Sequence, residues 1–269
     1  MADPVPADPT PPGRPDELFR GFLSLLYNCS MTFRKRYLML VLAALAVAGC
    51  SNPSVDIALR RAHLVSQRVY YVPAAQFATA EFAPPPAPDS DAQKADIAAI
   101  LDWQARRTAA DCAGAGRTAD TTYVSYLAPK NIFPAPLPPE VKGFLGRLAA
   151  DLDSATGNMK MRYRRPRPYD AYPGQAVPCI KKSSSYSYPS GHTIFSRVFA
   201  LVLADVLPGR RDEFLKEADA IALDRVIGGV HYPTDIAAGK VFAGQFYAEL
   251  LKSPGYREDI EKIKTFLVK

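Results

Sequence analysis

Apolar side chains recur at helical spacing through most of the second half of this chain, and proline and glycine punctuate the stretches between them. Along residues 91–112, Ile97, Ile100, Leu101 and Ala105 fall at helical spacing with Trp103 beside them, and no Pro or Gly intervenes before Gly114, so a helix is predicted there. A second starts near Pro139, whose ring suits a first helical turn. It carries Val141, Phe144, Leu145, Leu148 and Leu152 toward Lys160, until Pro166 and Pro168 must stop it. Residues 194–207 are apolar on nearly every side except at Ser196, Arg197 and Asp205. That pattern predicts a central helix surrounded by others, ended by Pro208-Gly209. Residues 211–227, 233–251 and 258–268 predict three more helices, while 113–138 and 169–188 read as loops. No alternating strand pattern and no internal repeat is present, so the expected fold is all-α, a compact multi-helix bundle around the central apolar helix.

Upstream of this region the texture is different. Residues 1–30 are Pro- and Asp-rich and precede a second methionine, Met31, as an over-extended start would. Residues 31–49 read as an export signal: Arg34-Lys35-Arg36 form a basic start, an apolar run follows that is too short to span a bilayer comfortably, and Val47-Ala48-Gly49-Cys50 resembles a lipobox. Cys50 is then the lipidated first residue of the mature chain, and Ser51 resembles the pattern that lets lipoproteins travel to the outer membrane; a buried helix or an uncleaved anchor is the competing reading. The expected location is the periplasmic side, lipid-anchored, with a soluble periplasmic or secreted protein as the alternative. Residues 50–90, broken by Pro73, Pro84, Pro85, Pro86 and Pro88, predict an extended arm, and residues 91–269 a single helical domain.

Charge and cysteines sharpen the picture. The chain carries a formal net charge of +6, and residues 160–182 alone hold seven basic side chains against Asp170. The positive charge is therefore local, which suits a small anionic ligand better than nucleic acid. Beyond Cys50, only Cys112 and Cys179 remain, an even pair that an oxidising compartment would allow to bridge, with two separate buried thiols as the alternative. Such a bridge would close a loop of roughly 67 residues, for which chain entropy suggests about 4 kcal/mol. The ligand count for a zinc site is lacking, so no metal is expected.

Three short runs carry candidate chemistry. Ser190-Gly191-His192 opens a predicted helix with a favoured N-cap, a glycine that lets an anion approach the backbone, and free first-turn amides: a phosphate seat, or an ordinary cap. Lys160 and Arg167, the latter locked between two prolines, can converge on one anion, or form a solvated basic face. In the third run, Arg225 precedes Gly228-Gly229, His231, Pro233 and Asp235, so the carboxylate in the first turn of the next helix can hold one imidazole nitrogen and leave the other free. A structural His-Asp bond between helices is the plainer alternative.

Taken together, the order and spacing of Lys160 to Arg167-Pro168, Pro189-Ser190-Gly191-His192 and Arg225 to His231 to Asp235 resemble the signature of the type 2 phosphatidic-acid-phosphatase superfamily. That superfamily contains bacterial class A non-specific acid phosphatases, lipid phosphate phosphatases and vanadium haloperoxidases. The Tyr-x-Arg-x-Arg-Pro of residues 163–168 and Ser185-Tyr186-Ser187-Tyr188 resemble the class A branch most. The resemblance implies metal-independent phosphomonoester hydrolysis without a cofactor, with His231 as nucleophile, Asp235 orienting it and His192 as general acid and base. Lys160, Arg167, Ser190, Gly191 and Arg225 would bind the phosphate at helix ends. The implied partners are a small phosphomonoester and the membrane through the N-terminal lipid alone, with self-association open. A lipid-phosphate phosphatase acting at the membrane surface is the alternative, and a vanadium-dependent haloperoxidase a more distant one. One position departs from the signature: Asp224 stands where the family has Ser.

Overall fold

The computed structural model describes residues 68–79, 81–120, 122, 126–127 and 130–268. The expected start, export signal and Cys50 lie outside the described residues. Among the described residues every regular element is helical, and none is long and apolar enough to cross a membrane. In chain order they are α1 (Gln76–Thr79), α2 (Asp91–Arg106), α3 (Ala109–Arg117), α4 (Pro139–Tyr163), α5 (Pro168–Ala171), α6 (Gly191–Val206), a 3-10 turn (Pro208–Arg210), α7 (Arg211–Ile227), α8 (Pro233–Leu250) and α9 (Pro254–Lys264).

The central helix is α6. Ile194, Val198, Phe199, Ala200 and Val202 are all fully buried, and α4, α7, α8 and α9 pack around it. A helix apolar on every side has no stable position except inside others, which is why this one occupies the middle. Its buried partners include Phe144, Leu145 and Leu148 of α4, Phe214 and Ala218 of α7, and Phe242 and Phe246 of α8. A smaller cluster of Ile100, Ala176, Ala222, Val226, Tyr232 and Ile236 joins α2 to α7 and α8 on the other side of the site.

The proline-rich segment before α2 lies along the bundle and is held by aromatic anchors. Phe77 packs 4.9 Å from Phe242 and 5.8 Å from Phe246, and Phe82 lies 5.9 Å from Phe242 and 6.1 Å from Tyr188, measured between ring centroids. Its start is clamped by Asp151 of α4, whose Oδ2 accepts from the backbone amides of Tyr71 at 2.6 Å and Val72 at 3.0 Å, and whose Oδ1 accepts from that of Tyr70 at 3.1 Å.

Several element boundaries differ from the periodicity. The helix expected over 91–112 breaks at Arg107, which is extended, because Thr108 and Asp111 form a capping box that starts α3 anew. Arg107 also reaches away to the carbonyls of Ile227 (2.8 Å) and Val177 (2.5 Å). The expected loop from 113 is therefore helical to Arg117, despite Gly114 and Gly116. The final helix begins at Pro254 rather than 258, since Ser253 caps it and Pro254 suits its first turn.

Candidate active site

The second half of α4, the start of α6, the 183–185 loop and the connection between α7 and α8 meet around a cavity of about 450 Å³. Lys160, Arg167, Gly191, His192 and His231 line it, together with Ser183 and Ser185 and an apolar wall of Ala149, Leu152 and Phe195.

Each of these side chains is aimed by a local sequence feature. Lys160 sits in the last turn of α4, which ends at Arg164 in the left-handed region (φ 47°) before Pro166. Its Nζ donates to the carbonyl of Tyr186 at 2.5 Å. Burial, with Arg167 adding to it, pushes the Lys160 ammonium down to about 7. Arg167, extended between its prolines, donates from Nε to the Ser185 carbonyl (2.7 Å), from Nη1 to the Val230 carbonyl (2.9 Å) and from Nη2 to Ser185 Oγ (3.1 Å). Both cations thus bear on the 183–186 loop and on the same cavity.

Ser190 caps α6. Its Oγ accepts from the Thr193 amide (3.4 Å) and from Thr193 Oγ1 (3.0 Å), so its own hydroxyl proton remains available for an acceptor. His192 donates from Nε2 to the Ala119 carbonyl at 2.9 Å, which leaves Nδ1 as the acceptor nitrogen of the neutral ring. Burial and the nearby Arg225 charge push His192 down to about 4.

His231 lies in the connection between α7 and α8, where Gly229 takes φ 75°. A side chain there would be strained, and its Cβ would press within 3.2 Å of Pro178 and Arg107. The amides of Val230 and His231 both return to the Arg225 carbonyl. His231 Nδ1 is 3.2 Å from Asp235 Oδ2 and 3.4 Å from Ser187 Oγ, while Nε2 is 3.2 Å from Arg167 Nη1. The carboxylate can only accept, so Nδ1 carries the proton and Nε2 presents a lone pair. Burial first, then Arg167, holds His231 well below the usual imidazole range despite Asp235. Burial alone would raise Asp235, but its bonds to His231 and Ser187 and the charge of Arg165 bring it down to about 2.

Asp235 and Ser190 stand behind the cavity wall rather than on it. Arg225 is buried as well. Its Nη2 donates to the Ala115 carbonyl (2.6 Å) and to Thr118 Oγ1, while Nε has no partner. The role of Asp224 is now visible: its Oδ2 accepts from Thr118 Oγ1 at 2.8 Å, so the carboxylate reaches Arg225 through a hydroxyl rather than by direct pairing.

Several partners were not singled out from the sequence. Ser187, wholly buried, donates to Asp235 at 2.5 Å, and Arg165, Gln93 and Asp96 form a buried polar group beneath Asp235. Ala115, Thr118 and Ala119 hold Arg225 and His192 from α3 and the residues after it. The Tyr-Arg-Arg-Pro-Arg-Pro text offered a signal for Arg165; the backbone carbonyls and α2 offered none. Cys112 and Cys179 are joined, with Cα atoms 5.7 Å apart, and the Cys179 amide donates to the Gly228 carbonyl. The disulfide therefore ties α3 to the segment packed on the turn that carries His231.

Residues 145–258 match the model of the PAP2 superfamily. Among curated proteins it is similar to the non-specific acid phosphatase of Providencia stuartii, 35% identical over 47% of this chain and 52% of that protein. It is also similar to the non-specific acid phosphatase of Salmonella typhi, 30% identical over 41% of this chain and 45% of that one. The matched part thus spans about half the length of these relatives. Among solved structures, a bacterial vanadium-dependent iodoperoxidase shares the fold with TM-score 0.52 at 19% identity, over 67% of this chain and 54% of that one.

Proposed function

We propose that this chain is an acid phosphatase that hydrolyses phosphomonoesters without a metal, through a phosphohistidine on His231. The observation that carries the reading is the His231 geometry. Its Nδ1–H is bound by Asp235, and its Nε2 lone pair lies beside the Arg167 guanidinium on the wall of a cation-lined cavity. The acid phosphatase relatives support the same reaction class.

In this account the phosphate enters between Lys160 and Arg167, with the Gly191 amide at the α6 N-terminus and the Ser190 hydroxyl proton as further donors. The unpartnered Nε of buried Arg225 is a third cationic donor that an equatorial oxygen would satisfy. Nε2 of His231 attacks phosphorus as the ester P–O bond breaks, and His192 gives a proton to the leaving alkoxide. His192 then takes a proton from the water that attacks phosphohistidine, which releases phosphate and restores neutral His231. Phosphoryl transfer needs positioning and neutralisation of spread negative charge more than covalent help, and three fixed cations supply it. Burial holds His192 down first, with the Arg225, Arg167 and Lys160 charges adding to it; a phosphate bound among those cations offsets their part and so favours the protonated ring.

The test is turnover of p-nitrophenyl phosphate with excess chelator present and with vanadate added. Activity that persists under chelation and falls with vanadate is the expected result. Activity lost to chelator and restored by a divalent ion sinks the reading.

A further inference from the structure

Beneath the His231–Asp235 pair, away from the cavity, lies a buried ion-pair group that the reaction scheme above does not use. Arg165 reaches both ways from it. Its Nη1 donates to Asp235 Oδ1 at 2.6 Å and to Thr234 Oγ1 at 2.8 Å. Its Nη2 donates to Asp96 Oδ2 at 2.7 Å and to Gln93 Oε1 at 2.6 Å, both on α2. The guanidinium lies 4.0 Å from the centroid of the Tyr232 ring, and the Arg165 carbonyl accepts from the amide of Ser187, the residue whose hydroxyl donates to Asp235. Arg165, Asp96 and Asp235 are each 5% exposed or less. Such a group is costly to bury unless its geometry does something.

We propose that Arg165 is a positioning residue that shares the Asp235 carboxylate with His231, and so keeps the imidazole neutral and able to attack under acid conditions. The inference rests on the reading of His231 as the nucleophile. A histidine bound to a carboxylate alone is favoured as its cation. Here the carboxylate is already bound, because Oδ1 serves Arg165 while Oδ2 takes Ser187, the Tyr232 amide and His231. The remaining charge around His231 is cationic, with Lys160 from α4 and Arg167 from the turn before α5. Around Asp235 the other titratable groups are the Tyr188 and Tyr232 hydroxyls, and on the far side of Arg165 stands Asp96. Arg165 is thus the counter-ion of Asp235, and Asp96 is the counter-ion of Arg165.

This alternation of sign predicts opposite effects from two substitutions. Arg165→Gln frees Asp235 to support the His231 cation, so the acid limb of kcat/KM moves to higher pH, by about one unit. Asp96→Asn leaves Arg165 uncompensated, so the limb moves to lower pH. The experiment compares pH profiles of wild type and both variants with p-nitrophenyl phosphate, whose own ionisation is common to all three. Ring-nitrogen NMR titration of His231 runs in parallel and needs no turnover; the chain has only three histidines to assign. Opposite displacements in the folded variants support the proposal, and if Arg165→Gln does not fold, the sign for Asp96→Asn decides. His231 titrating in the variants as in wild type overturns it. Absence of phosphatase activity in wild type would remove the proposed function instead, while the NMR titration still judges Arg165.

Discussion

The most informative titration of the site falls on Lys160. Its ammonium is pushed down to about 7 by burial and Arg167, so it is charged below that pH and neutral above it. A tetrahedral dianion should therefore bind well in acid and lose affinity as pH rises through 7, by up to about tenfold per unit. The inhibition constant of sulfate, which does not titrate in this range, checks it: the slope should appear in wild type and vanish in Lys160→Met, whose binding should be weak throughout. A second prediction concerns the departure from the family signature at Asp224. Because Asp224 and Arg225 meet at Thr118 Oγ1, Thr118→Val should leave the fold intact and raise KM, by roughly tenfold for a lost bond to a charged group. A KM unchanged in Thr118→Val would mean that the guanidinium is held by the Ala115 carbonyl alone.

Helices whose apolar positions repeat cleanly were legible in the sequence, and those whose limits depend on capping were not. The span of α7, Arg211–Ile227, follows from periodicity and the Gly228-Gly229 stop, and α6 from its continuous apolar run. The break between α2 and α3 was hidden because nothing in 91–112 is a helix breaker; it arises from a Thr108–Asp111 capping box and from carbonyls that draw Arg107 elsewhere. The same reason explains the partners missed around the site. Ala115 and Ala119 act through backbone oxygens, which residue type does not reveal. Element packing also makes its own predictions. A Cβ on Gly239 of α8 would lie 2.9 Å from Thr193 Cβ and 3.1 Å from the Ser190 carbonyl, so Gly239→Ala should push α8 from the start of α6. The expected cost is roughly 1–3 kcal/mol, with a fall in kcat beyond that of a surface glycine control such as Gly209→Ala; denaturant unfolding and kinetics measure both. Losing the Cys112–Cys179 bond should cost up to about 4 kcal/mol. It should also raise KM, since α3 holds Arg225; a lower melting temperature with unchanged KM would separate the bridge from the site.

At the scale of the domain, a cavity that Lys160 and Arg167 line sits beside the end of α4, the start of α6 and the α7–α8 connection, and the bundle beneath keeps these in place. Asp151 illustrates how far that scaffold reaches, since it clamps three successive amides of the segment whose aromatic rings then pack along α8. Asp151→Ala should destabilise the domain by roughly 2–3 kcal/mol and expose the segment around residue 70 to proteolysis, while kcat changes little. In the reaction proposed for this domain, phosphorus passes through His231. Rapid quenching of the enzyme with radiolabelled phosphomonoester tests that most directly. Wild type should accumulate an acid-labile, base-stable phosphoenzyme that maps to His231, His192→Ala should accumulate it with slowed breakdown, and His231→Ala should form none. A labelled enzyme in the His231→Ala variant, or label on another residue in wild type, would contradict the account.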